Sequence, residues 1–594
     1  MRTSRTARVF VLALFLGAFL LSGCRSVGLK SERASSDWSR GELLGKAALN
    51  SRVAQAIDGA DTGIYAVWIT EHELNGPEFL HFAHLDRGGH IVNQGDLPVQ
   101  TRRPSQVQLV VAQADRLHLA WVDRLGDANQ LFYARLDSAG QLLSQPRVLS
   151  LPQVSVTDYE LGPNPFGGLD VFWSATEGEG VGLYQMQVNR AGETTAEGRN
   201  LGRAGFSPAF RFDRDGRQHV VWQEVPSPGE HRLYYATFDQ SKRALGNPVL
   251  LATFAVTTGL VADRPALGLA AGDVYVFWAL ERRGGGLTTP RADSYYVVVP
   301  IASPELASKP QSVNIPAENQ PAYERTGSLF HIGQLASGGE DGLPSEFIYQ
   351  PTTTQGHQDE LAAAFAVQIG YRTKQITHIL VTLWADGKMK GYQIASKTRS
   401  GSMRPFLLAD AQGDLHLIWI DVAGFGSYEV YYAGTSSEAR ANLNQLTAQD
   451  LLAGAFNILW GVVQAVSFFP IIFVWIFVPL VAILAYSFLR VEGDLTRLGP
   501  RIMLIVSVVL YIAFKYLFRP SWIVALPLPR NLPSGLSDVL IYITPLLVSG
   551  LAGLLTGIYV KRREYASLLP AFGFFVAFDA LLTLLIYVPG IVAE

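Results

Sequence analysis

The sequence predicts an all-β propeller that is followed by an all-α transmembrane bundle. Two observations predict this architecture: a repeat of short strands with a period near 50 residues, which fills residues 51–445, and a series of long apolar segments that begins at residue 465. Short alternating strands at this period, without helical periodicity between them, are typical of propeller blades. Apolar segments of about 20 residues are long enough to cross a bilayer. The chain therefore divides into two unlike domains.

The first 23 residues have the features of a secretory signal peptide. Arginines near the N-terminus precede a 13-residue apolar run, 9–21, which is too short to span a hydrocarbon core of about 30 Å. The run ends in Leu-Ser-Gly-Cys, and Cys24 is the only cysteine of the chain. This tetrapeptide resembles the lipobox of bacterial lipoproteins. The resemblance implies that Cys24 becomes the diacylated N-terminus, with fatty acids such as palmitate, ahead of a linker over residues 24–50.

The composition excludes several classes of function. The net charge is −3, with 48 Lys and Arg against 51 Asp and Glu, so no basic surface indicates binding to nucleic acid. Because the only cysteine is the predicted lipid attachment site, intrachain disulfides, thiolate metal sites and cysteine nucleophiles are excluded as well. We expect neither a cofactor nor a bound metal ion.

Each repeat contains a strand that ends in tryptophan. Successive tryptophans are 53, 52, 49 and 56 residues apart, and a gap of 141 residues precedes the last one. A second apolar strand rich in tyrosine follows each of them, and turns such as Asp137 to Gly140 end several copies with a glycine suited to a positive φ. The repeat tryptophans are Trp68, Trp121, Trp173, Trp222, Trp278 and Trp419.

The gap of 141 residues is long enough for one further blade. Residues 361–368 and 375–385 indicate its middle strands, with the tryptophan position near Val367, and residues 301–355 are expected to form an insertion on one rim. The sequence thus predicts seven blades, or six if residues 356–402 are only an insertion.

The closing strand of the ring has two candidate sources. The last repeat lacks a clear fourth strand, so we expect either the residues between Ser31 and Ser51 or the stretch after Gly434 to supply it.

Three histidines have the residue type of a metal triad but not its geometry. His118, His219 and His416 each lie three residues before a repeat tryptophan. Equivalent positions in different blades are related by rotation about the propeller axis, so side chains on three middle strands cannot reach one ion. We expect these histidines to pack within their blades. Asp123, Glu224 and Asp421, two residues after their tryptophans, are expected to be turn or strand-end carboxylates.

An arginine recurs at the predicted start of the innermost strand in four blades. Innermost strands of a propeller run in the same direction, so their first residues surround one mouth of the central channel. Proline, which follows the arginine in three copies, is tolerated at a strand start, and the guanidinium fork suits carboxylate or phosphate. We expect an anion site here, with ion pairing to neighbouring acids or simple exposure as the alternative. Its residues are Arg52, Arg103, Arg264 and Arg404.

The blade pattern over residues 50–435 resembles the sialidase-like and related six- or seven-bladed propellers of bacterial surface proteins. The resemblance is one of architecture: residues 213–222 and 410–419 share Asp, Gly and Trp with the sialidase Asp-box but lack its serine and threonine, and no Phe-Arg-Ile-Pro motif is present. Glycosidase activity and its catalytic residues are therefore not carried over to this chain.

Four membrane spans are predicted after residue 450, at 465–489, 503–518, 539–560 and 566–592. Residues 446–464 indicate an interfacial helix, with a fifth span as the alternative. Six basic residues fall in the first and third loops and two in the second. The positive-inside rule therefore places the propeller on the extracytoplasmic side of the cell membrane, which agrees with the lipobox.

Two ionisable residues lie inside the predicted spans. Asp579 is near the middle of the fourth span, and Lys515 lies toward the outer end of the second. A charge at the bilayer centre costs at least about 2.5–3.5 kcal/mol and normally faces a partner or an aqueous path. We expect a structural contact between the two residues, or a protonated Asp579 that is hydrogen-bonded within the bundle, with ion or proton conduction as the alternative.

Together these features predict a surface-exposed, membrane-anchored propeller that binds a ligand or a protein partner without transforming it. The expected partners are the membrane, reached through lipid and helices, and an anionic glycan or a protein ligand. One alternative is a glycan-processing hydrolase, which needs two carboxylates about 5–10 Å apart over the channel mouth. Another is a sensor or assembly subunit of a membrane complex.

Overall fold

The chain forms two compact units, of which the first is Ser31–Gln445 and the second includes Leu446–Glu594. The computed structural model describes residues 31–315, 348–448, 469–518 and 534–592, together with Leu452 and except for short gaps, of which 283–291 is the longest. The first unit is a seven-bladed β-propeller, and the second contains four long apolar helices, as predicted. Cys24, the predicted signal peptide and nearly all of the predicted interfacial helix lie outside the described residues.

The N-terminal strand closes the ring. Strand β1 (Glu42–Ala47) pairs antiparallel with the last propeller strand, so blade 7 combines residues from both ends of the propeller. This arrangement confirms the first of the two predicted sources of the closing strand. It also places most of the predicted 24–50 linker inside the propeller unit.

In each blade the strands that neighbour each other in the sheet pair antiparallel, and the first long strand lies innermost, where it contacts the innermost strand of the next blade. Blade 1 contains β2–β5, which are Val53–Ile57, Ile64–Glu71, Glu78–Leu85 and Ile91–Asp96; blade 2 contains β6–β9, which are Ser105–Gln113, Arg116–Leu125, Ala128–Leu136 and Arg147–Val148. Blade 3 contains β10–β13, which are Asp158–Pro163, Leu169–Ala175, Gly182–Val188 and Arg199–Asn200; blade 4 contains β14–β18, which are Gly205–Phe212, Gln218–Ser227, Glu230–Asp239, Ala244–Leu245 and Val249–Ala255.

The remaining blades follow the same plan, and the innermost strand of blade 7 contacts that of blade 1. Blade 5 contains β19–β23, which are Leu260–Ala262, Ala266–Ala270, Asp273–Arg282, Ala292–Pro300 and Gln311–Ser312, and a 3₁₀ turn at Pro304–Leu306. Blade 6 contains β24 (Ile348–Thr353) and β26–β28, which are Leu361–Tyr371, Lys374–Ala385 and Lys388–Ile394, while β25 (His357–Gln358) pairs parallel with β20. Blade 7 contains β29–β31, which are Ser402–Ala409, Leu415–Gly424 and Ser427–Gly434.

Blade 6 is the blade that lacks a repeat tryptophan. In blade 7 the residue before Trp419 pairs with Phe406, and the same register in blade 6 pairs Ala364 with Thr352. Phe365 therefore occupies the tryptophan position, two residues before the position predicted at Val367. The predicted insertion at 301–355 is also narrower, because its ends supply the last strand of blade 5 and the first strand of blade 6.

The repeat tryptophans form the core of the blades. In five blades the tryptophan is buried and stacks on the aromatic side chain directly across from it on the next strand, at centroid distances of 5.3–5.8 Å. Such cross-strand aromatic pairs stabilise a sheet beyond the area that they bury. The tyrosine-rich strand after each tryptophan in the sequence is the partner in these stacks.

The helical elements begin with the short α1 (Ser437–Leu443), which follows the last propeller strand and is capped by Ser436. The second unit contains α2 (Phe469–Arg490), α3 (Leu498–Leu517), α4 (Ser534–Arg562) and α5 (Leu568–Val592). Each of these four helices has a segment long and apolar enough to cross a membrane. The loops that follow α2 and α4 pair through their backbones, with Leu495 N–H donating to Ala566 O at 2.9 Å, so both loops lie at one end of the bundle.

Candidate functional site

Seven equivalent residues surround one end of the innermost strands. In every blade one innermost residue pairs with the position before the repeat aromatic residue, for example Ala54 with Val67 in blade 1. The residue two positions earlier lies toward the channel mouth, because the innermost strands run in the same direction. We call these seven the ring residues. They are Arg52, Gln106, Asp158, Ser207, Arg264, Gln350 and Arg404.

Four ring residues adopt a left-handed backbone conformation. Their φ values are 51° at Gln106, 48° at Ser207, 53° at Gln350 and 52° at Arg404, and the strand register shifts at the same four points. A β-bulge of this kind redirects backbone and side chains, and such strain concentrates at functional sites. Here the bulges turn the N–H of Arg404 onto Gln350 Oε1 at 2.7 Å and the N–H of Gln350 onto Asp263 Oδ2 at 3.0 Å.

The structure brings three of the four predicted arginines to one cavity and leaves out the fourth. Arg52, Arg264 and Arg404 line a channel cavity of about 410 Å³, whereas Arg103 does not. Arg103 lies three residues before the ring residue Gln106; its backbone N–H donates to Asp123 Oδ1 at 2.7 Å, and its side chain is exposed. The Arg-Pro dipeptide of blade 2 therefore precedes the strand instead of beginning it at the ring position.

Sequence reasoning missed the charged residues deeper in the cavity. Glu160 accepts hydrogen bonds from Arg211 Nη1 at 2.6 Å and from Arg264 Nη2, and the side chains of these three residues are 11–16% exposed. Gln108 Nε2 lies 3.3 Å from the same carboxylate. Glu160 and Arg211 follow their ring residues by two and four positions, so strand alternation points them to the same face. That signal becomes usable only when the register of each innermost strand is known.

Asp263 supplies the second carboxylate of the cavity. It lies beside Glu281, and burial first, then repulsion from Glu281, raises the pKa of Asp263 well above its usual range, while Arg52 opposes the shift. A raised pKa favours the protonated carboxyl group. Protonation removes one negative charge from the cavity wall.

Positive charge therefore exceeds negative charge in the cavity lining, which contains four arginines and two carboxylates. Asp158 lies behind the lining, 3.5 Å from Arg264 Nη1. Arg404 Nη1 donates to the carbonyl oxygens of Leu49 and Ser51, which fix its guanidinium near the mouth. The Arg52 side chain is exposed, with no hydrogen-bond or ion-pair partner among the residues that the structure describes.

The three histidines stay within their own blades. Each one contacts the hydroxyl of a tyrosine on the neighbouring strand, His118 with Tyr133 at 2.6 Å, for example. Burial lowers the pKa of His118 to about 4, which keeps this side chain neutral at physiological pH. Within the described part of the chain, no group of three His, Cys, Asp or Glu residues is arranged to hold a metal ion.

The carboxylates that follow the tryptophans also make structural hydrogen bonds at their blades. Trp222 Nε1 donates to Glu224 at 2.8 Å, and Trp419 Nε1 donates to Asp421 at 2.7 Å. Asp123 accepts from the backbone N–H groups of Arg102 and Arg103. These contacts hold strand ends and indoles and lie outside the channel cavity.

In the helical unit, the structure brings Lys515 and Asp579 into contact. Lys515 Nζ lies 3.0 and 2.8 Å from the two carboxylate oxygens and 2.8 Å from the Thr583 hydroxyl. Tyr511 and Ser549 donate to the same carboxylate. The cluster, with Lys515 1% and Asp579 0% exposed, joins α3, α4 and α5.

No protein-family model matches this sequence, and no curated protein matches it either. Among solved structures, an ulvan lyase, which is a polysaccharide lyase, is 9% identical at a TM-score of 0.42 over 69% of this chain and 96% of that chain. A protein of unknown function from Dyadobacter fermentans is 10% identical (TM-score 0.34; 66% and 98%), and an exo-β-1,3-galactanase from Clostridium thermocellum is 10% identical (TM-score 0.30; 65% and 93%). These likenesses concern the propeller fold, and none of them transfers an activity.

Proposed function

We propose that this protein is a membrane-anchored surface propeller that binds an anionic ligand at the mouth of its central channel. The observation that carries the proposal is the cavity of about 410 Å³ with four arginines and two carboxylates in its lining. Small-molecule sites have volumes of about 300–1,000 Å³. Guanidinium forks bind carboxylate, sulfate or phosphate groups through paired hydrogen bonds.

The arginines have different roles in this proposal. Arg52 is exposed and offers its donors to a ligand, and Arg404 is fixed beside it by backbone carbonyls. Arg211 and Arg264 are positioned by Glu160 and form a charged floor. An acidic sugar, whose carboxylate would meet Arg52 and Arg404 and whose hydroxyls would meet the floor, suits this arrangement.

A glycan-processing hydrolase is the second candidate, favoured by one observation. Two carboxylates line the same cavity, and Asp263 favours its protonated form, as a general acid does. Against this role, Glu160 is held by two arginines, an arrangement that suits positioning better than proton transfer. Release of reducing ends from an acidic polysaccharide, lost in Asp263→Asn, would favour the hydrolase over the binding protein.

Calorimetric titration of the purified full-length protein with glucuronate, sialic acid, inorganic phosphate and neutral glucose tests the binding proposal. Arg52→Ala is expected to weaken acidic-sugar binding about tenfold or more, since a hydrogen bond to a charged group contributes about 1.5–3 kcal/mol. Arg264→Ala should have at least this effect. Arg103→Ala is the matched control, because Arg103 is an exposed arginine outside the cavity. Equal binding of glucose and glucuronate, or equal losses in Arg52→Ala and Arg103→Ala, would refute the anion site.

We also propose that Cys24 is lipidated and that the propeller faces outward. The lipobox and the distribution of basic residues between loops support this orientation. Cys24→Ala should abolish incorporation of labelled palmitate, while the protein stays in the membrane fraction through its apolar helices. Protease added to intact cells should cleave the propeller or its insertion and spare a tag placed after Lys561. A soluble Cys24→Ala protein, or cleavage of that tag from outside, would contradict the model.

A further inference from the structure

A second cavity, of about 650 Å³, lies within the helical unit and is lined by residues of α3, α4 and the start of α5. Its wall is mostly apolar, with Leu504 and Val508 from α3 and Phe575 from α5. On α4 the wall is formed by Gly553 and Gly557, where an added Cβ would meet no atom within 4 Å. The two glycines therefore leave open space and do not serve close helix packing in this unit.

One end of this groove is cationic. Three cations line the same cavity, and their side chains are exposed: Arg501 at the start of α3, Lys561 at the end of α4 and Arg563 directly after α4. Arg501 Nε donates to the carbonyl of Leu495 at 2.6 Å, and the Arg563 guanidinium lies 5.0 Å from the ring centre of Tyr559. Among the described residues that line the groove, these three cations are accompanied by no carboxylate.

We infer that this groove binds one acidic phospholipid. The headgroup phosphate would lie among Arg501, Lys561 and Arg563, and an acyl chain would lie against Gly553 and Gly557. The occupant follows from charge complementarity: an apolar helix of a partner protein would fill the wall but bring no anion to the three cations, whereas an acidic lipid matches both the apolar wall and the cationic end. Basic pockets between membrane helices recognise acidic headgroups in this way. The inference is independent of the ligand proposed for the channel.

The groove also differs from the general apolar surface through which the bundle would contact the membrane. The exposed apolar side chains around the bundle, such as Phe473, Phe477 and Leu547, meet any acyl chain equally. The groove instead combines open space at the two glycines with three cations at one end. This combination suits a single lipid molecule with a negatively charged headgroup. Its volume lies within the range of about 300–1,000 Å³ for small-molecule sites.

Native mass spectrometry of the full-length protein, released from nanodiscs of equal phosphatidylglycerol and phosphatidylethanolamine, tests the inference. We expect one phosphatidylglycerol to be retained in preference to phosphatidylethanolamine. The triple variant R501Q/K561Q/R563Q should lose this preference, since each cation near an anionic lipid strengthens binding about fivefold. Gly557→Leu should displace the lipid by filling the groove without changing its charge.

Two variants serve as controls. R490Q/R562Q removes two exposed cations, one at the end of α2 and one at the end of α4, that do not line the groove, and Gly550→Leu fills open space on α4 outside it. Both should retain phosphatidylglycerol as the wild type does. Thermal melting of every variant in detergent shows whether it is folded; if the triple variant does not fold, Lys561→Gln alone takes its place, with an expected loss of about fivefold.

Several outcomes would overturn the inference. Equal retention of the two lipids by the wild type would do so, as would equal loss in the triple variant and R490Q/R562Q. Displacement of the lipid by inorganic phosphate alone would indicate an anion site without an acyl groove. A lipid-free dimer that Gly557→Leu dissociates would identify a second copy of the chain as the occupant.

Discussion

The channel cavity and the helical bundle both contain arginine or lysine against carboxylates, but the balance of charge differs. In the bundle, Lys515 faces Asp579, the ammonium reaches three acceptor oxygens, and two hydroxyls complete the carboxylate. In the channel, four arginines share a cavity with two carboxylates, one of which favours its protonated form. In the bundle cluster the charged groups are buried and hydrogen-bonded to one another. In the channel cluster positive charge exceeds negative charge, and the cavity is open at the channel mouth.

Because of this difference, we interpret the bundle cluster as a structural ion pair and the channel cluster as a candidate binding site. Hydrogen bonds that are all satisfied inside a bundle fix the helices and leave no donor for another molecule. Guanidinium donors in excess of carboxylates at the channel mouth remain available to an anionic ligand. The saturation of Lys515 and Asp579 favours the structural role expected for them over ion conduction.

Breaking the bundle pair should have the largest effect. Lys515→Met leaves Asp579 buried without its cation, and loss of one partner of a buried pair costs about 3–5 kcal/mol. We expect a large decrease in the unfolding midpoint of the purified protein in detergent, followed by helix circular dichroism. The double variant Lys515→Met/Asp579→Leu should recover most of the loss, because it removes both charges. A single variant as stable as the exposed-lysine control Lys561→Gln would contradict the structural role.

Asp421 shows what burial does to a carboxylate without a lysine. Burial raises its pKa to about 7, against hydrogen bonds from Thr398, Ser402 and Trp419 that lower it. The unfolded chain releases this proton at about pH 4, so the propeller loses stability as the pH rises from there to the folded pKa. The amide introduced by Asp421→Asn could still accept the hydrogen bond from Trp419, so this substitution should raise the unfolding free energy at about pH 8 by a few kcal/mol at most, and much less at about pH 5. The corresponding increase in melting temperature measures this gain. Equal shifts at both pH values would refute this assignment.

Removing Glu160 tests whether the channel cluster is structural in the same way as the bundle cluster. Glu160→Gln leaves Arg211 without its carboxylate partner and leaves Arg264 with Asp158 alone, but the two arginine side chains are partly exposed to the channel. We expect a loss of about 1–3 kcal/mol in unfolding free energy, smaller than in the bundle. Affinity for glucuronate should rise, because one negative charge is removed from the cavity. If Glu160→Gln lowers the unfolding free energy as much as Lys515→Met does and does not raise the affinity for glucuronate, the channel cluster has a structural role like that of the bundle cluster.

The pH dependence of ligand binding should give the smallest effect. Below the raised pKa of Asp263 its carboxyl group is neutral and an anion binds best; above it the new negative charge weakens binding. Glucuronate affinity, measured by calorimetry, should therefore fall several-fold as the pH rises through the raised pKa of Asp263. Asp263→Asn should remove this fall while leaving binding at low pH unchanged. An unaltered pH profile in the variant would exclude Asp263 as its cause.

Much of the fold could be predicted because its signals are local. The tryptophan period, the tyrosine-rich strand after each tryptophan and the length of the apolar segments are properties of consecutive residues. Even the blade without a tryptophan followed from spacing, since Phe365 keeps the strand pattern around it. The error at Arg103 has a physical cause: a dipeptide resembles a strand start, but pairing with the next strand decides where the strand begins.

The sequence by itself predicted a propeller of seven or six blades and four apolar helices, because periodicity and length do not depend on distant contacts. The pairing of Glu42–Ala47 with the last propeller strand decided between the two candidate sources of the closing strand. The tertiary structure decided which charges meet. Glu160 and Arg264 are 104 residues apart, and Glu160 and Arg211 are 51 residues apart. Their contact depends on ring closure and on the bulges that set each strand register, and a shift of one residue would turn these side chains away from the channel. Local sequence patterns do not determine that register, so only the tertiary structure shows which charged residues line the cavity.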